Sequence, residues 1–304
     1  MPQEVELHST TCPICGTDDR ATVLYPANFD FAAFNPAIYS ARRLPDRVHY
    51  RIVRCNTCGL VRSDPVADPQ LLAQLYARST FDYELEVEDL SRTYGRYLSR
   101  LERFEVHKGK LLEIGCGNGF FLEEALRRGY SSVHGVEPGR AAIDRAREDI
   151  RPNIVCDVLR PGLFPPETFD AVCLFQTFDH ISDPGSLLDE CCQLLKTGGL
   201  LLCFNHNIEA GSAKLLGERS PIIDIEHTFL YSPRTISKLF EKHSLKTLET
   251  GSARNTYHLY YLTRLVPLPR LLKKPLLRLL KDTRFGSIRL TVPLGNLYII
   301  ARRP

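Results

Sequence analysis

The sequence predicts an α/β fold in which a doubly wound parallel sheet follows a small, cysteine-rich, metal-binding domain. From residue 111 onward, short apolar runs alternate with helical patterns, which is typical of parallel strands with helices on both faces of the sheet. Before residue 60 the chain contains two Cys-x-x-Cys-Gly motifs, a pattern typical of a metal site. We therefore expect residues 1–80 to form the metal-binding domain with its linker helix, and residues 81–304 to form the α/β domain.

The composition is that of an ordinary globular protein, since 304 residues with 43% hydrophobic and 25% charged side chains can bury a sizeable core. The formal net charge of +3 is too small to favour nucleic acid or an anionic membrane as a partner. Residues 1–6 are polar and acidic, unlike a secretory signal, and no apolar run approaches the ~20 residues of a transmembrane helix. We expect a cytoplasmic protein without a transmembrane segment, and the sequence leaves its oligomeric state open.

The first domain contains a Cys₄ set, with Cys12 and Cys15 in one motif and Cys55 and Cys58 in the other. In each motif a turn directs two sulfurs toward one cation, and four thiolates suit a tetrahedral, structural Zn²⁺ with no open position for catalysis. A redox pair is the alternative for a single Cys-x-x-Cys, but redox motifs do not normally occur as two matched pairs. The sequence therefore favours structural zinc.

The stretch between the two motifs is long, and we expect residues 17–54 to build structure of their own. Two interpretations stay open: the interleaved aromatic and basic side chains form a surface for an acidic substrate or RNA, or the aromatics form a small core beneath solvated arginines. The residues concerned are Phe29, Phe31, Phe34, Tyr39 and Tyr50, with Arg42, Arg43, Arg47, Arg51 and Arg54.

Two helices are predicted between the cysteine motifs and the sheet. Asp68-Pro69 is typical of a helix start, with a capping aspartate and a proline in the first turn. A second helix begins near Glu86, and its apolar residues recur at helical spacing as far as Phe104. We expect this helix to pack on the sheet and to cover a ligand site.

A glycine-rich loop follows the first predicted strand of the sheet, residues 111–114, and leads into a helix. Its glycines let backbone N–H groups approach a ligand closely at the helix N-terminus. The dinucleotide fingerprint requires glycine where Phe120 stands, which disfavours NAD. The next predicted strand, residues 132–136, ends at Glu137, about 20 residues after the loop, where a carboxylate can bind ribose hydroxyls.

The segments Leu-Glu-Ile-Gly-Cys-Gly-Asn-Gly, residues 112–119, and Gly-Val-Glu-Pro, residues 135–138, together resemble motifs I and II of class I S-adenosylmethionine (SAM)-dependent methyltransferases. The resemblance covers about residues 108–250. It implies a Rossmann-like, seven-stranded methyltransferase sheet and SAM as the cofactor. The implied cofactor-binding residues are Glu113, Gly115, Cys116, Gly117, Asn118, Gly119, Glu137, Pro138, Asp157, Val158 and Gln176.

The resemblance also implies a role for each part of this set. The three loop glycines contact the methionine moiety of SAM, and Glu113 steadies the loop. Glu137 binds the ribose. Asp157, at the end of a third predicted strand, and Val158 flank the adenine, although a loop aspartate that caps a turn is the alternative. Gln176 lines the pocket near the methyl group.

Candidate catalytic residues follow later strands of the sheet. Residues 176–180 come after the fourth predicted strand, 169–175, and resemble the family's motif IV, with Asp179 in place of a glutamate before His180. The fifth strand, 200–204, leads into residues 208–231, which we expect to be an irregular substrate loop containing His227. His180 and His227 are the candidates for a catalytic base; the alternatives are that His180 orients the cofactor or holds the loop and that His227 is a polar loop residue.

Residues 246–250 and 297–301 are predicted as the sixth and seventh strands, separated by a cap insertion at about 255–292. This insertion is rich in leucine, lysine and arginine, and we expect Pro267, Pro269 and Pro275 to interrupt any single helix. Such a basic amphipathic stretch contacts a membrane or a lipid-linked substrate, or it packs on its own domain with a solvated basic face.

The cysteines outside the Cys₄ set show no disulfide framework, so we expect small, reduced, mostly buried residues. Cys116 is the exception, because its place in the cofactor loop suggests partial accessibility.

The preferred function is methyl transfer from SAM to a small molecule, most simply to a hydroxyl group, with nitrogen and carbon acceptors open. Residues 54–76 also resemble the leader of a bacterial methyltransferase subset that often acts on natural products or surface sugars. The alternatives are an RNA methyltransferase that grips RNA with its zinc module, which the low net charge disfavours, and a non-catalytic partner-binding protein, which the intact loop disfavours.

Overall fold

A computed structural model describes residues 6–18, 20–28, 48–77, 87–265 and 269–304 of the chain. The strands in these segments are β1 (Leu7–His8), β2 (Ala21–Tyr25), β3 (Ile52–Cys55), β4 (Val61–Ser63), β5 (Val66–Ala67), β6 (Lys110–Ile114), β7 (Ser132–Val136), β8 (Ile154–Val155), β9 (Phe169–Phe175), β10 (Leu195–His206), β11 (Phe229–Leu230), β12 (Lys246–His258) and β13 (Arg289–Arg302). The helices are α1 (Pro69–Ala77), α2 (Val87–Glu102), α3 (Phe120–Arg127), α4 (Arg140–Ile143), α5 (Pro184–Leu194), α6 (Gly211–Leu216), α7 (Pro233–Lys242), α8 (Leu259–Leu265) and α9 (Arg270–Asp282).

The largest sheet has seven strands in the order β12-β13-β10-β9-β6-β7-β8. The strands from β10 to β8 in this order run parallel, and β13 is antiparallel to both of its neighbours. Each of the strands predicted for this sheet is present in the expected place. The prediction of a doubly wound, Rossmann-like, seven-stranded sheet is therefore confirmed.

The strand order reverses between β6 and β9. The chain places β7 and β8 on one side of β6 and then returns to put β9 on the other side, where Ile114 is in register with Leu174. The segments that follow β6 and β9 therefore leave the sheet at the same edge. In open α/β sheets, ligands bind in the crevice at such a reversal, beyond the carboxyl ends of the strands.

Aromatic side chains cover both faces of the sheet around β9. All of Phe169–Phe175 is buried, as expected for a strand with helices on both sides. On one face, Tyr94 of α2 stacks on Phe175 with 4.0 Å between ring centroids, which confirms that this helix packs on the sheet. On the other face, Phe178 stacks on Tyr231 at 5.2 Å.

Side chains cap three helices at their N-termini, and the cap at Asp68 is the one predicted above. Asp68 accepts a hydrogen bond from a backbone N–H in the first turn of α1 at 2.8 Å, and Asp183 accepts one from Ser186 at the start of α5 at 3.0 Å. Ser232 and Thr235 exchange reciprocal side-chain to backbone bonds at the start of α7. These caps satisfy N–H groups that have no partner within the helix.

The cysteine-rich domain and the α/β domain share a sheet. β2, β3 and β4 form an antiparallel sheet whose fourth strand, β11, comes from the segment after β10. Residues 208–231 were predicted to be irregular, and that prediction is wrong for α6 and β11. A two-residue strand has no local signal, because β11 exists only through its pairing with β4. The predicted domain boundary near residue 80 falls within 78–86, outside the described residues.

Most of the aromatic and basic residues between the cysteine motifs also lie outside the described residues, namely Phe29, Phe31, Phe34, Tyr39, Arg42, Arg43 and Arg47. Tyr50 is described and buried, and its hydroxyl accepts a hydrogen bond from the N–H of Ala67 at 3.2 Å. It packs in a small apolar cluster with Leu72 and Ile225. For Tyr50, the structure agrees with the small-core interpretation.

β12 and β13 extend beyond their predicted lengths and pair as far as His258 and Arg289, so that the connection between them is mainly α8 and α9. Pro275 lies inside α9, and the prediction that it would interrupt the helix is wrong. Its ring costs the helix one backbone hydrogen bond, and helical structure continues on both sides. Within the described segments, we find no helix with the length and apolar character needed to cross a bilayer.

Candidate active site

A cavity of about 1140 Å³ lies at the carboxyl edge of the large sheet. The loops after β6 to β10 form its walls together with α8 and part of β13. The sequence-predicted site residues that line it are Glu113, Gly115, Cys116, Gly117, Glu137, Pro138, Asp157, Val158, Gln176, His180 and His227. Of the predicted set, Asn118 and Gly119 lie outside the cavity lining.

The glycine loop depends on glycine for two different reasons. Gly115 has a φ of 73°, and a Cβ at this position would lie 2.4 Å from Oγ1 of Thr177. The loop therefore passes against the segment that follows β9, and no other residue fits there. Gly119 precedes α3, and a Cβ there would lie 2.8 Å from Cγ2 of Ile150. Glycine is therefore required at position 119 by close packing behind the loop, and not by contact with the cavity.

The carboxylate of Glu137 holds this loop in place. Its Oε2 accepts the N–H of Gly117 at 2.9 Å, and its Oε1 accepts the N–H of Gly139 at 2.8 Å. Burial raises the pKa of Glu137, and the two N–H donors act in the opposite direction. Each oxygen retains acceptor capacity toward the cavity after these bonds.

Glu113, in β6, and Cys116, in the glycine loop, are both almost fully buried. Glu113 is 2% exposed, and burial, together with the charge of Glu137, raises its pKa well above the usual value. Cys116 is also 2% exposed, and its Sγ would lie 2.5 Å from a Cβ on Gly135. The expectation that Cys116 is partly accessible is therefore wrong, because its side chain packs onto β7.

The far end of the cavity is formed by the loops after β8 and β9. Asp157 accepts hydrogen bonds from the N–H of Val158 at 2.8 Å and from Nε of Arg160 at 2.9 Å. Val158 is 46% exposed and offers an apolar surface. Gln176 has a φ of 55°, and its N–H donates to the carbonyl of Phe204 at 2.7 Å.

Asp179 lies at the centre of a histidine cluster at the cavity wall. Its side chain is fully buried, and its Oδ2 accepts a hydrogen bond from Nδ1 of His206 at 2.6 Å. Nε2 of His180 lies 3.7 Å from its Oδ1. The ring centroid of His227 lies 4.5 Å from that of His206 and 4.9 Å from that of His180. The structure thus brings together both predicted catalytic candidates and adds His206.

The hydrogen bonds fix the tautomers of two of these rings. Burial opposes ionisation of Asp179, but the neighbouring histidines, His206 first, hold its pKa well below the usual value. Because an ionised carboxylate only accepts, Nδ1 of His206 is the donor, and Nε2 is the nitrogen that carries the lone pair whenever the ring is neutral. Nδ1 of His227 faces the carbonyl oxygen of Ile222 at 2.9 Å, so that Nε2 of His227 also carries a lone pair.

The cluster is better suited to proton transfer than to binding a cation. Ligand atoms of Asp179, His206 and His227 lie within 4.8 Å of one another, and two histidines with one carboxylate are a common metal-binding set. However, Asp179 and His206 are 2.6 Å apart, whereas two ligands about 2.1 Å from one tetrahedral ion stay roughly 3.4 Å apart. We interpret the pair as a direct hydrogen bond between a base and the residue that orients it.

His206 is a candidate functional residue that the sequence reasoning did not select. It lies at the end of β10, at the same edge of the sheet as residues 176–180. Its position could have been predicted from the sequence, since a polar residue directly follows a buried strand. Its hydrogen bond with Asp179 could not have been predicted, because it joins residues that are 27 positions apart.

The four predicted zinc ligands form a second cluster, in the cysteine-rich domain. The sulfurs of Cys12, Cys15, Cys55 and Cys58 lie within 4.8 Å of one another, and those of Cys12 and Cys58 are 3.5 Å apart. Tetrahedral thiolates around one Zn²⁺ lie about 3.8 Å apart, so the observed donor set fits this ion. The glycine after each motif has a positive φ, 70° at Gly16 and 86° at Gly59, which closes each turn.

The other cysteines are free thiols, as predicted. Cys116, Cys173, Cys191 and Cys203 are buried. Cys156, directly after β8, is exposed, so the expectation of a buried residue is wrong there.

A family model described as a methyltransferase domain matches residues 87–250, more than half of the chain. The chain belongs to this family. The match begins at the first residue of α2 and includes the glycine loop, Glu137 and all of the histidine cluster described above.

Curated relatives of this methyltransferase-domain chain include two ubiquinone biosynthesis O-methyltransferases. The one from Saccharophagus degradans is 29% identical over 119 residues, 37% of this chain and 49% of the relative. The one from a Shewanella species is 26% identical over 149 residues, 45% of this chain and 63% of the relative. The chain spans about half the length of the first curated relatives that it matches.

Among solved structures, the chain is similar to one in the complex between the Haloferax volcanii Trm112 methyltransferase activator and a methyltransferase. The TM-score is 0.50 at 18% sequence identity, over 73% of this chain and 95% of that chain. At this identity the likeness shows the fold, in agreement with the strand order described above.

Acidic pH should lower the free energy of unfolding, because His180 is held neutral in the folded chain. Burial lowers the pKa of His180 to about 3, despite the attraction of Asp179, whereas an unfolded histidine titrates near 6.5. Between these two pKa values, the unfolded chain binds a proton at His180 that the folded chain does not. The free energy of unfolding therefore falls as the pH falls through this range. We expect this group to remove about 2 kcal/mol of the free energy of unfolding between pH 7 and pH 5.

Urea denaturation at a series of pH values measures this dependence. His180→Gln should flatten it by about the same 2 kcal/mol. Parallel pH profiles for the wild type and His180→Gln would contradict the assignment.

Proposed function

We propose that this protein transfers a methyl group from SAM to a hydroxyl group of a small molecule of the natural-product or sugar type. The observation that carries the proposal is that one cavity combines a glycine loop held by Glu137 with a His206–Asp179 pair. The loop suits the donor, and the pair suits removal of a proton from the acceptor. Membership of the methyltransferase-domain family supports methyl transfer as the reaction.

The donor end of the cavity fits SAM. When bound, SAM supplies a methyl group that its sulfonium centre has already activated for attack. The loop at Gly115 to Gly117 contacts the methionine part, Glu137 accepts hydrogen bonds from the ribose, and Asp157 with Val158 flanks the adenine. These residues follow β6, β7 and β8, which are neighbouring strands of the large sheet, and all of them line the cavity.

Two buried oxygens at the donor end support this fit. Oε2 of Glu113 and Oε1 of Gln176 have no hydrogen-bond partner among the described residues. Buried polar atoms normally have partners, so such acceptors point to a donor that is supplied by a ligand. The ammonium group of the methionine moiety of SAM is a donor of the required kind.

At the acceptor end, we assign His206 as the general base. The hydrogen bond to Asp179 orients His206 so that Nε2 would take the hydroxyl proton. The acceptor oxygen would form a bond to the methyl carbon as the carbon–sulfur bond of SAM breaks, and S-adenosylhomocysteine would leave. The buried carboxylate then stabilises the imidazolium that forms. His180 and His227 remain neutral and line the same wall, where they orient the acceptor.

The size and lining of the cavity support a small acceptor. At about 1140 Å³ it exceeds the upper range, roughly 1000 Å³, of a pocket for one drug-sized molecule, which leaves room for donor and acceptor together. The acceptor side presents the aromatic rings of Tyr257 and Tyr261 and the amides of Asn255 and Asn296. The aromatic part of this wall excludes water, which would otherwise solvate the attacking oxygen.

The relatives favour oxygen as the methylated atom. The curated relatives reported above are O-methyltransferases by name, and their matched segments overlap the methyltransferase domain of this chain. The likeness of residues 54–76 to the leader of enzymes acting on natural products or surface sugars favours an acceptor of that kind.

We propose that the Cys₄ cluster binds one structural Zn²⁺ and thereby positions the histidine cluster. Ser63, in β4, donates its hydroxyl to the carbonyl of His227 at 2.8 Å, and its N–H donates to the carbonyl of Thr228 at 2.9 Å. Cys12, Cys55 and Cys58 are buried in the same apolar cluster as Phe229. The metal would stabilise the sheet that contains β4, and Ser63 of β4 in turn positions the backbone at His227.

Replacing Glu137 by alanine should weaken SAM binding at least ~100-fold, because the variant loses the ribose acceptor and the bond to Gly117 together. Isothermal titration calorimetry measures the affinity, and far-UV circular dichroism checks that the variant is folded. Glu209→Ala, at an exposed position, is the control. Unchanged affinity in Glu137→Ala would remove the donor site from the proposal.

His206→Gln and Asp179→Asn should each lower kcat by about 10²–10⁴-fold, since one removes the base and the other its orientation. The assay is transfer of a labelled methyl group from SAM to a small-molecule extract of the source organism. SAM affinity should stay within about twofold of the wild type. His134→Gln, on β7 and away from the cavity lining, is the control. Full activity in both variants would refute the assignment of the base.

Elemental analysis should find one zinc per chain in the wild type and in Cys156→Ser, and none in Cys58→Ser. Loss of zinc should lower the midpoint of thermal unfolding by roughly 10 °C, because the shared sheet loses its metal anchor. A second bound metal in the wild type that disappears in Asp179→Asn would show that the histidine cluster binds a cation after all.

A further inference from the structure

The connection between β12 and β13 exposes large apolar side chains on the outside of the molecule. Along α9, Leu271 is 90% exposed, Leu272 62%, Leu279 58% and Leu276 37%. Phe285, at 65%, and Ile288, at 46%, continue the exposed surface after the helix ends. Isolated exposed leucines are common on proteins, but a concentration of this kind within twenty residues marks an interaction site. We call these six residues the leucine surface.

The leucine surface is not the face with which α9 packs on its own protein. That face carries Leu280, which is 6% exposed. On a helical projection, residues 271, 272, 276 and 279 occupy an arc of about 140° that excludes position 280. The sequence left two interpretations of this stretch open, a contact with a membrane or a lipid-linked substrate and a cap with a solvated basic face. In the structure, the solvated side of the helix also carries most of its leucines.

Basic residues border the leucine surface. Lys274, Arg278 and Lys281 recur at intervals of four and three residues, so they form a row beside the leucine arc, and Arg284 follows the helix. All four are exposed, and none forms an ion pair with another described residue. Within Arg270–Asp282 the one acidic residue is the last. The local charge is therefore strongly positive, although the whole chain carries only +3.

The same connection forms part of the cavity wall. Tyr261 and Leu262 of α8 line the cavity, and α8 packs against α9. Val292 and Leu294, on the returning strand β13, also line it. A partner bound at the leucine surface would therefore lie beside the acceptor end of the cavity.

We propose that the leucine surface and its basic border dock this protein onto an anionic phospholipid bilayer. A helix with leucines on one arc and lysines and arginines beside it lies in the membrane interface, with the leucines among the acyl chains and the cations at the headgroups. The basic border favours anionic lipid over a second copy of this chain, whose matching surface would carry the same positive charge. This inference does not depend on the reaction proposed above.

Co-sedimentation with vesicles tests the proposal. The full chain should bind phosphatidylcholine vesicles that contain phosphatidylglycerol, and it should bind vesicles of phosphatidylcholine alone at least ~10-fold more weakly. Leu272→Glu/Leu279→Glu should reduce binding to the anionic vesicles at least ~10-fold, since each change puts a charge among the acyl chains. Leu215→Glu, at a position 86% exposed on α6, is the matched control and should bind like the wild type.

The basic border has a separate test. Lys274→Glu/Arg278→Glu should weaken binding to the anionic vesicles, and added salt should weaken binding of the wild type, because surface charges are screened. Failure of the wild type to bind anionic vesicles, or equal binding by the Leu272→Glu/Leu279→Glu variant, would overturn the proposal. So would a wild-type dimer in light scattering that this variant converts to a monomer, because the leucine surface would then be a subunit interface.

Discussion

The pairing of β6 with β9 is the constraint on which the candidate site depends. In this register Ile114 lies beside Leu174, so that the glycine loop and the segment leading to Asp179 leave the sheet side by side. The glycine loop and the segment after β9 lie so close together that a single methyl group on Gly115 would collide with Thr177. The glycine loop and the histidine cluster therefore face one cavity because the backbone pairing of β6 and β9 places them side by side.

A second, longer-range constraint reaches the same cavity from the cysteine-rich domain. β4 pairs with β11, and Ser63 binds the backbone at His227 and Thr228. The four cysteine sulfurs lie close together, and Cys12, Cys55 and Cys58 pack in one apolar cluster with Phe229 of β11. The domain that carries the cysteines is thus part of the support of the cavity, although none of its cysteines lines it.

The sequence predicted most of what is local. Strand and helix periodicity placed the large sheet, and the capping residue Asp68 marked where α1 begins. It missed what depends on contacts between distant segments, namely β11 and the His206–Asp179 bond. It also could not show which arc of α9 faces outward, since leucines in an amphipathic helix normally face the core. Pro275 was misjudged because neighbouring turns carry the helix across one missing hydrogen bond.

The interleaved sheet has a consequence for how the chain folds during synthesis. Ser63 leaves the ribosome well before His227, which follows it by 164 positions. Until β11 emerges, the outer edge of β4 has no strand beside it, and bare strand edges recruit other chains. The sheet of β2, β3 and β4 therefore remains incomplete until a short segment of the α/β domain is synthesised, which couples completion of the cysteine-rich domain to that of the α/β domain.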